Sequence, residues 1–361
     1  MNINSKKLRQ IYDKVLNSER LSFEDGITLD ESNELLAIGM MANYLREKLH
    51  ADNAYYINNR HINHTNICVN ECKFCAFRKS IDDPEGYLMT IDDVMAKAKE
   101  WEGESFSEFH IVGGLHPDLG YDYYRGIISS LHTKYPDIHI QGFTAVEIGW
   151  FAKIANISYR EVLEDLKSVG LGSLPGGGAE IFNESIRSKI CPDIDKVSSE
   201  EWLTIHKIAH DVGLRSNATM LYGHIETAAD RIDHLIRLRA AQDESGGFMT
   251  FIPLAFHPKN TKYDSKNFTS GILDLKMIAI SRLMLDNIEH IKAFWIMIGE
   301  QTAQVALSFG ADDMDGTVVE EKITHAAGAT TNEELAVEKL ESLISEAGRK
   351  AVARDTVYNL V

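Results

Sequence analysis

Three cysteines fall within eight residues, Cys68-Val-Asn-Glu-Cys72-Lys-Phe-Cys75. The C-x3-C-x2-C spacing follows an extended stretch, and an aromatic, Phe74, precedes the last cysteine. Three thiolates on one short loop can hold three irons of a [4Fe–4S] cluster and leave the fourth iron open to a small molecule that receives an electron. Two other readings use the same residues. His64 could complete a Cys3His zinc site, and the cysteines could be ordinary buried side chains. Zinc sites usually pair two-ligand knuckles across a longer loop, and the sequence holds no second knuckle. Cys191, the remaining cysteine, is remote in sequence and reads as structural rather than as a fourth ligand, because the fourth iron must stay open.

A site of this kind needs a substantial scaffold. The chain has 361 residues, 44% of them hydrophobic and 25% charged, enough for one large α/β domain or two ordinary ones. No apolar run approaches the roughly 20 residues of a membrane span, and the N-terminus lacks an apolar signal region. A cytoplasmic location is expected. With four cysteines, three of them clustered, no disulfide framework is expected. The net charge of −17 and the absence of Lys/Arg runs argue against a nucleic-acid partner.

Residues 1–50 read as a helical extension: Leu8, Ile11, Val15 and Leu16 form one apolar face, and Glu34–Met41 a second helix. From residue 51 to about 330, extended apolar segments alternate with helical patterns. The segments are Tyr55–Ile67, Phe109–Val112, Ile138–Phe143, Leu171–Leu174, Ser216–Tyr222, Phe248–Phe256, Ile291–Ile298 and Ala311–Val319. Thr90-Ile-Asp-Asp93 and Ser158-Tyr-Arg-Glu161 have the form of capping boxes. Eight such units predict an α/β fold, a (β/α)8 barrel of parallel strands. Residues 331–361 are expected as a C-terminal helix and tail packed on the barrel.

In such barrels the chemistry sits at the C-terminal strand ends, and unusual residues recur there. The second strand ends in Gly113-Gly114-Leu-His116, where two bare backbone positions let a ligand approach. The third ends in Thr144-Ala-Val-Glu147 and the fourth in Pro175-Gly-Gly177-Gly-Ala-Glu180. Glu180 could bond ribose hydroxyls or a ligand ammonium, or simply face a helix N-terminus. The fifth carries Asn217, Thr219, Tyr222, Gly223, His224 and Glu226, and the sixth ends in His257. Asp312, Asp313 and Asp315 near the eighth could be solvated rim acids. Most of the 14 histidines, such as His206, His210 and His234, read as surface or helix residues.

The cysteine spacing with the Gly-Gly element resembles the radical S-adenosylmethionine (SAM) superfamily. That resemblance implies a full or partial barrel, a cluster ligated by Cys68, Cys72 and Cys75, and SAM on the fourth iron. It gives SAM contacts to Phe74, Gly113, Gly114, Thr144, Glu147, Gly177, Glu180, Asn217, Tyr222 and Gly223. The segments His139–Ile148, Ser173–Phe182, Ser216–Thr227, Phe251–Pro258 and Ala311–Glu321 more closely resemble the aminofutalosine synthase family of the futalosine route to menaquinone. The related dehypoxanthine futalosine cyclases typically have Ser-Pro-Pro in place of Thr144-Ala-Val146 and Pro-Phe-Gln-Pro in place of Ala255-Phe-His-Pro258. Gly142 stands where the family often has alanine, with no consequence expected.

The resemblance implies addition of a 5′-deoxyadenosyl radical to the enolpyruvyl double bond of 3-[(1-carboxyvinyl)oxy]benzoate. Rearrangement and loss of carbon dioxide would give 6-amino-6-deoxyfutalosine. The alternative is a cyclase or another hydrogen-abstracting radical SAM enzyme. His116, His257, Asn217 and Thr219 are candidate donors to the substrate carboxylates, and His224 or Glu226 a candidate base. The site set expected to act in catalysis is His224, Glu226 and His257. Flavodoxin or ferredoxin is the expected electron donor, because no second cysteine cluster is present to relay electrons.

Overall fold

The computed structural model describes residues 3–192, 196–263 and 266–361. Among the described residues ten strands are formed: β1 Asn53–Ile57, β2 Asn59–Ile62, β3 Glu108–Ile111, β4 His139–Gly142, β5 Ser173–Leu174, β6 Arg215–Tyr222, β7 Phe248–Ala255, β8 His290–Ile291, β9 Asp313–Gly316 and β10 Lys350–Ala353. Strands β2 to β8 make one parallel sheet in strict sequence order. Each crossover contains helix, so sequential order and right-handed winding curl the sheet on itself. Its two edges do not pair directly. The segment from Asp313 to Val319 touches both through single parallel bridges, Lys292↔Asp313 beside β8 and Arg60↔Val319 beside β2.

The large sheet therefore has seven strands rather than the eight of the expected (β/α)8 barrel, because the eighth segment, Ala311–Val319, only bridges its edges and places β9 in a second sheet. Further sequence expectations change as well. The first extended segment, Tyr55–Ile67, is not one strand. β1 pairs with β9 and β10 in a separate three-stranded parallel sheet, and β2 opens the large one. The switch occurs where Gly316 approaches so closely that a Cβ would lie 2.6 Å from the Ile57 carbonyl oxygen. Asn59 then takes new partners, its N–H donating to Thr317 Oγ1 (3.1 Å) and its Oδ1 accepting from Val318 N–H (2.8 Å). The C-terminal segment likewise supplies more than a helix and tail. After the helix Val337–Glu346 it adds β10 to the edge of β1.

The N-terminal extension is three helices, α1 Lys6–Leu16, α2 Phe23–Glu31 and α3 Leu35–His50. Leu8, Ile11 and Val15 are buried as expected, whereas Leu16 is exposed. Both expected capping boxes form, and four more hold helix starts at Ser22, Thr144, Ser198 and Thr227. Asp312 and Asp313 are fully buried rather than solvated. Arg282 and His290 bind Asp312, and Arg354 binds Asp313 (2.6 Å). Burial of these carboxylates requires such partners, and the network ties β8 to the segment that bridges the sheet edges.

Candidate active site

The cysteine loop lies over the C-terminal ends of β2 and β3. Val69 N–H donates to Leu115 O (2.9 Å), Cys68 N–H to Lys79 O (3.1 Å) and Gly114 N–H to Thr65 O (2.9 Å). Gly114 packs so tightly on the loop that a Cβ would meet the Ile67 carbonyl oxygen at 2.2 Å. Cys68 and Cys75 are free thiols. Burial pushes both thiols up from their ordinary range, so a cation must favour the thiolates.

Cys72 departs from the sequence expectation, for it is disulfide-bonded to Cys191 with a Cα–Cα separation of 4.1 Å. The expected absence of a disulfide framework is thereby corrected to one cross-link. The turn that ends the helix Glu184–Ile190 lies against the cysteine loop, where Lys73 N–H donates to Ile190 O (2.7 Å). Lys196 stands at the same place, its Nζ 3.7 Å from Cys72 Sγ, 2.6 Å from Glu180 Oε1 and 4.8 Å from the Phe74 ring centre. Burial would raise the Glu180 carboxyl, but the Lys196 charge and hydrogen bond hold it below the ordinary range. Glu180 itself adopts a left-handed backbone, φ 46°, an uncommon conformation for a residue with a side chain.

The C-terminal strand ends line a recessed, partly open cavity of about 300 Å³. Of the expected contact residues, Gly113, Thr144, Glu147, Gly177 and Asn217 line it, as does Thr219. Several of these are held by their neighbours. Glu147 closes the capping box, accepting from Thr144 N–H (2.7 Å) and Oγ1 (2.8 Å), while its other oxygen accepts from Gly113 N–H (3.0 Å). Asn217 Nδ2 donates to Gln141 Oε1 (3.2 Å), and Thr219 Oγ1 to Gly176 O (2.7 Å).

The three residues expected to act in catalysis are not among the lining residues. Glu226 is consumed as a local clamp, accepting from Gly223 N–H (2.7 Å), His224 N–H (2.9 Å) and the Arg231 guanidinium (2.9 Å). His224 is buried, with Nε2 3.0 Å from Leu221 O. Burial lowers its basicity despite the neighbouring Glu226. His257 sits in a separate crevice with Phe268 and Asp274, its Nε2 2.7 Å from Met297 O. Tyr222 bonds Asp274 outside the cavity (2.8 Å), Gly223 turns at φ 90° beside Thr269, and His116 Nδ1 accepts from Asp118 N–H (3.2 Å). A strand end offers two faces, and hydrogen bonds, local for Glu226, His224 and His116 and to distant segments for His257 and Tyr222, hold these side chains outside the cavity lining.

The cavity instead presents residues to which the sequence reading gave no role, Asn59, His61, Glu108, His110, Gln141, Lys292 and Glu321, together with Asp315, which is buried rather than a solvated rim acid. His61 stacks on His110 with ring centres 4.6 Å apart, and His110 Nδ1 lies 3.5 Å from Glu108 Oε1. Burial holds His61 neutral. Burial would raise Glu108, but bonding to His110 holds it well below the ordinary carboxylate range. The available signal was alternation in two places, where Glu108 and His110 flank Phe109 and where His290 and Lys292 flank Ile291; β2, Asn59-Arg-His61-Ile62, shows no such pattern.

The zinc reading fits poorly. His64 is buried under Gly113, with Nε2 3.8 Å from Glu147, among the rings of Tyr123, Tyr124 and Phe143. Among the described residues the cysteines and His64 do not converge on one point. The one cluster of three donors within reach of a single ion is His50, His290 and Asp312, and there the Arg282 guanidinium already holds Asp312. A cluster that needs three sulfurs on one loop fits Cys68, Cys75 and, once reduced, Cys72.

Comparison with known proteins agrees with this geometry. Residues 62–238 match the Radical SAM superfamily and residues 245–361 the CofH/MqnC C-terminal region. The aminodeoxyfutalosine synthase of Thermus thermophilus is 43% identical, over 99% of this chain and 97% of its own length. The 5-amino-6-(D-ribitylamino)uracil–L-tyrosine 4-hydroxyphenyl transferase of Methanococcoides burtonii is 40% identical, over 94% of this chain and 95% of its own. In fold, the crystal structure of methylornithine synthase (PylB) matches with a TM-score of 0.74 at 17% identity, covering 94% of this chain and 97% of that one. The chain belongs to the radical SAM superfamily, as an enzyme that uses a [4Fe–4S] cluster and SAM, and within it to the family that includes the aminodeoxyfutalosine synthases.

Proposed function

We propose that the protein is an aminofutalosine synthase. The adenosyl group of SAM joins the enolpyruvyl carbon of 3-[(1-carboxyvinyl)oxy]benzoate, and rearrangement with loss of carbon dioxide gives 6-amino-6-deoxyfutalosine. The observation that carries this reading is the 42–43% identity to aminodeoxyfutalosine synthases over nearly the full chain, joined to a cavity at the strand ends that Gly113, next to the cysteine loop's packing partner Gly114, helps to line. When bound, the [4Fe–4S] cluster supplies the electron that splits SAM into methionine and a 5′-deoxyadenosyl radical.

The chain's own residues do the rest. Cys68, Cys72 and Cys75 would hold the cluster, with Cys72 first released from Cys191. The Gly113 carbonyl and the Glu180–Lys196 pair offer an acceptor for the SAM ammonium and a cation for its carboxylate. With SAM and substrate filling the recessed lumen, water is kept from a reactive intermediate. Reduction by flavodoxin or ferredoxin and a cytoplasmic location accord with a low-potential cluster. Among the described residues no helix is long and apolar enough to cross a membrane.

Relatives named as tyrosine 4-hydroxyphenyl transferases support a second reading, the same radical acting on L-tyrosine and 5-amino-6-(D-ribitylamino)uracil. One anaerobic assay separates the two. Reconstituted protein, dithionite and SAM are given either substrate set, and products are read by mass spectrometry. A nucleoside adduct one carbon dioxide lighter than its parts establishes the synthase. Free 5′-deoxyadenosine, formed only with tyrosine and the uracil, establishes the transferase, and free 5′-deoxyadenosine with dehypoxanthine futalosine the cyclase.

A further inference from the structure

Four carboxylates line the cavity, those of Glu108, Glu147, Asp315 and Glu321, and Lys292 is the sole lysine or arginine among the described lining residues. Three of the acids are engaged elsewhere. Glu147 holds the Gly113 turn. Glu321 accepts from the N–H groups of Ile323 (2.9 Å) and Thr324 (2.9 Å) and pairs with His325 (3.4 Å). Glu108 pairs with His110. A dianionic substrate entering this acidic lumen meets one cation.

Lys292 is 6% exposed, and its Nζ lies 3.1 Å from Asp315 Oδ1. An ammonium has three N–H donors, and among the described side chains only Asp315 accepts one. A buried ion pair contributes little to folding compared with an apolar pair of the same volume, so stability alone gives little reason to keep it. The backbone from Asp315 onward is also unusual. Asp315 is left-handed at φ 67°, followed by Val318 at 51° and Glu320 at 69°. A β-branched residue is strained there, and such strain gathers at ligand sites.

We propose that Lys292, steered by Asp315, binds the ring carboxylate of the substrate and makes the cavity select a 3-substituted benzoate over a neutral arene. This rests on the synthase reading. The ring carboxylate is the chemically suitable partner, because an ammonium stabilises a carboxylate relative to carbon dioxide. A held carboxylate should therefore be the one retained, while the enolpyruvyl carboxylate is free to leave. Lys292 follows β8, whereas Gly113, Thr144 and Gly177 follow β3, β4 and β5. Anchoring at Lys292 thus stretches the substrate across the lumen and presents its double bond to the glycine-lined side.

The test compares 3-[(1-carboxyvinyl)oxy]benzoate with its ring carboxamide on wild-type enzyme, Lys292→Gln and Lys292→Arg. Wild type should favour the carboxylate on the order of 10²-fold in kcat/KM, the value of one charged hydrogen bond in a buried site. Lys292→Gln should lose that preference to within about threefold through KM, with SAM affinity unchanged, and Lys292→Arg should restore part of it. Equal use of acid and amide by wild type overturns the inference while leaving the synthase reading intact, and needs no variant to fold. Absence of any adduct from wild type with the acid overturns both.

Discussion

Replacing Gly114 by alanine should damage the cysteine loop without touching a ligand atom. The new Cβ would lie 2.2 Å from the Ile67 carbonyl oxygen and 3.1 Å from Cys68 Cβ. The first distance is about 1 Å inside ordinary contact, and the opposing atom is backbone rather than a flexible side-chain end. Neither chain can retreat freely, since Gly114 N–H is bonded to Thr65 O and Val69 N–H to Leu115 O. Overpacking of this kind costs about 1–3 kcal/mol, and one strained or broken backbone hydrogen bond adds ~1 kcal/mol. A loss of about 3 kcal/mol in a chain of this size lowers Tm by about 5 °C. The loop that carries Cys68 moves with it, so iron bound per chain after anaerobic reconstitution should fall by at least half. Gly142→Ala is the matched control, because its Cβ would sit 3.5 Å from Ile111 Cβ and Leu171 Cδ1. It should keep full iron and gain a few tenths of a kcal/mol from the less flexible unfolded chain. Full iron loading with unchanged Tm in Gly114→Ala would refute the packing account of this glycine.

Cys72→Ala should abolish SAM cleavage and iron–sulfur absorbance while its Tm under reducing conditions, where the Cys72–Cys191 bond is open in both proteins, stays near that of wild type, and retained turnover would remove the cluster reading. Protein handled without reductant should yield a Cys72–Cys191 cross-linked peptide on mapping. Cys191→Ser should then load iron without prior thiol treatment, and equal thiol dependence of the two proteins would count against it. His325 is raised to about 9, mainly by its hydrogen bond to Glu321. Because the folded value lies above the unfolded one, this pair stabilises fully below about pH 6.5 and its contribution is lost as pH rises through about 9. His325→Gln should flatten the decline of Tm between pH 6.5 and 9, with a stability loss at the acid end on the order of 1 kcal/mol once solvent screening of this partly exposed pair is allowed for, and an unchanged slope would contradict the assignment.

Much of this was legible in the chain. Capping boxes at Thr90 and Ser158 act within four residues, so local sequence reveals them. The strict alternation of apolar segments and helical patterns already implied parallel strands in sequential order. The reading failed where two distant segments compete for one stretch of backbone. Tyr55–Ile67 looks like one strand, and only the approach of Gly316 and Thr317 divides it. At strand ends, where position alone suggested His224, Glu226 and His257 for chemistry, the structure places none of the three among the cavity-lining residues. Glu226 turned out to satisfy two backbone N–H groups and an arginine within five residues of itself.

By itself the sequence determined the cysteine loop, the glycine-rich strand ends, the order of the parallel sheet and the family. These depend on spacing along the chain, on propensity and on side-chain alternation. Tertiary structure alone decided which polar residues face the lumen, that Cys191 meets Cys72 across 119 residues, and that Lys292 and Asp315 form the pair inside the cavity. The reason is physical. Contacts between segments far apart in sequence depend on how the sheet curls and where its edges meet, and that is settled only when the whole core packs.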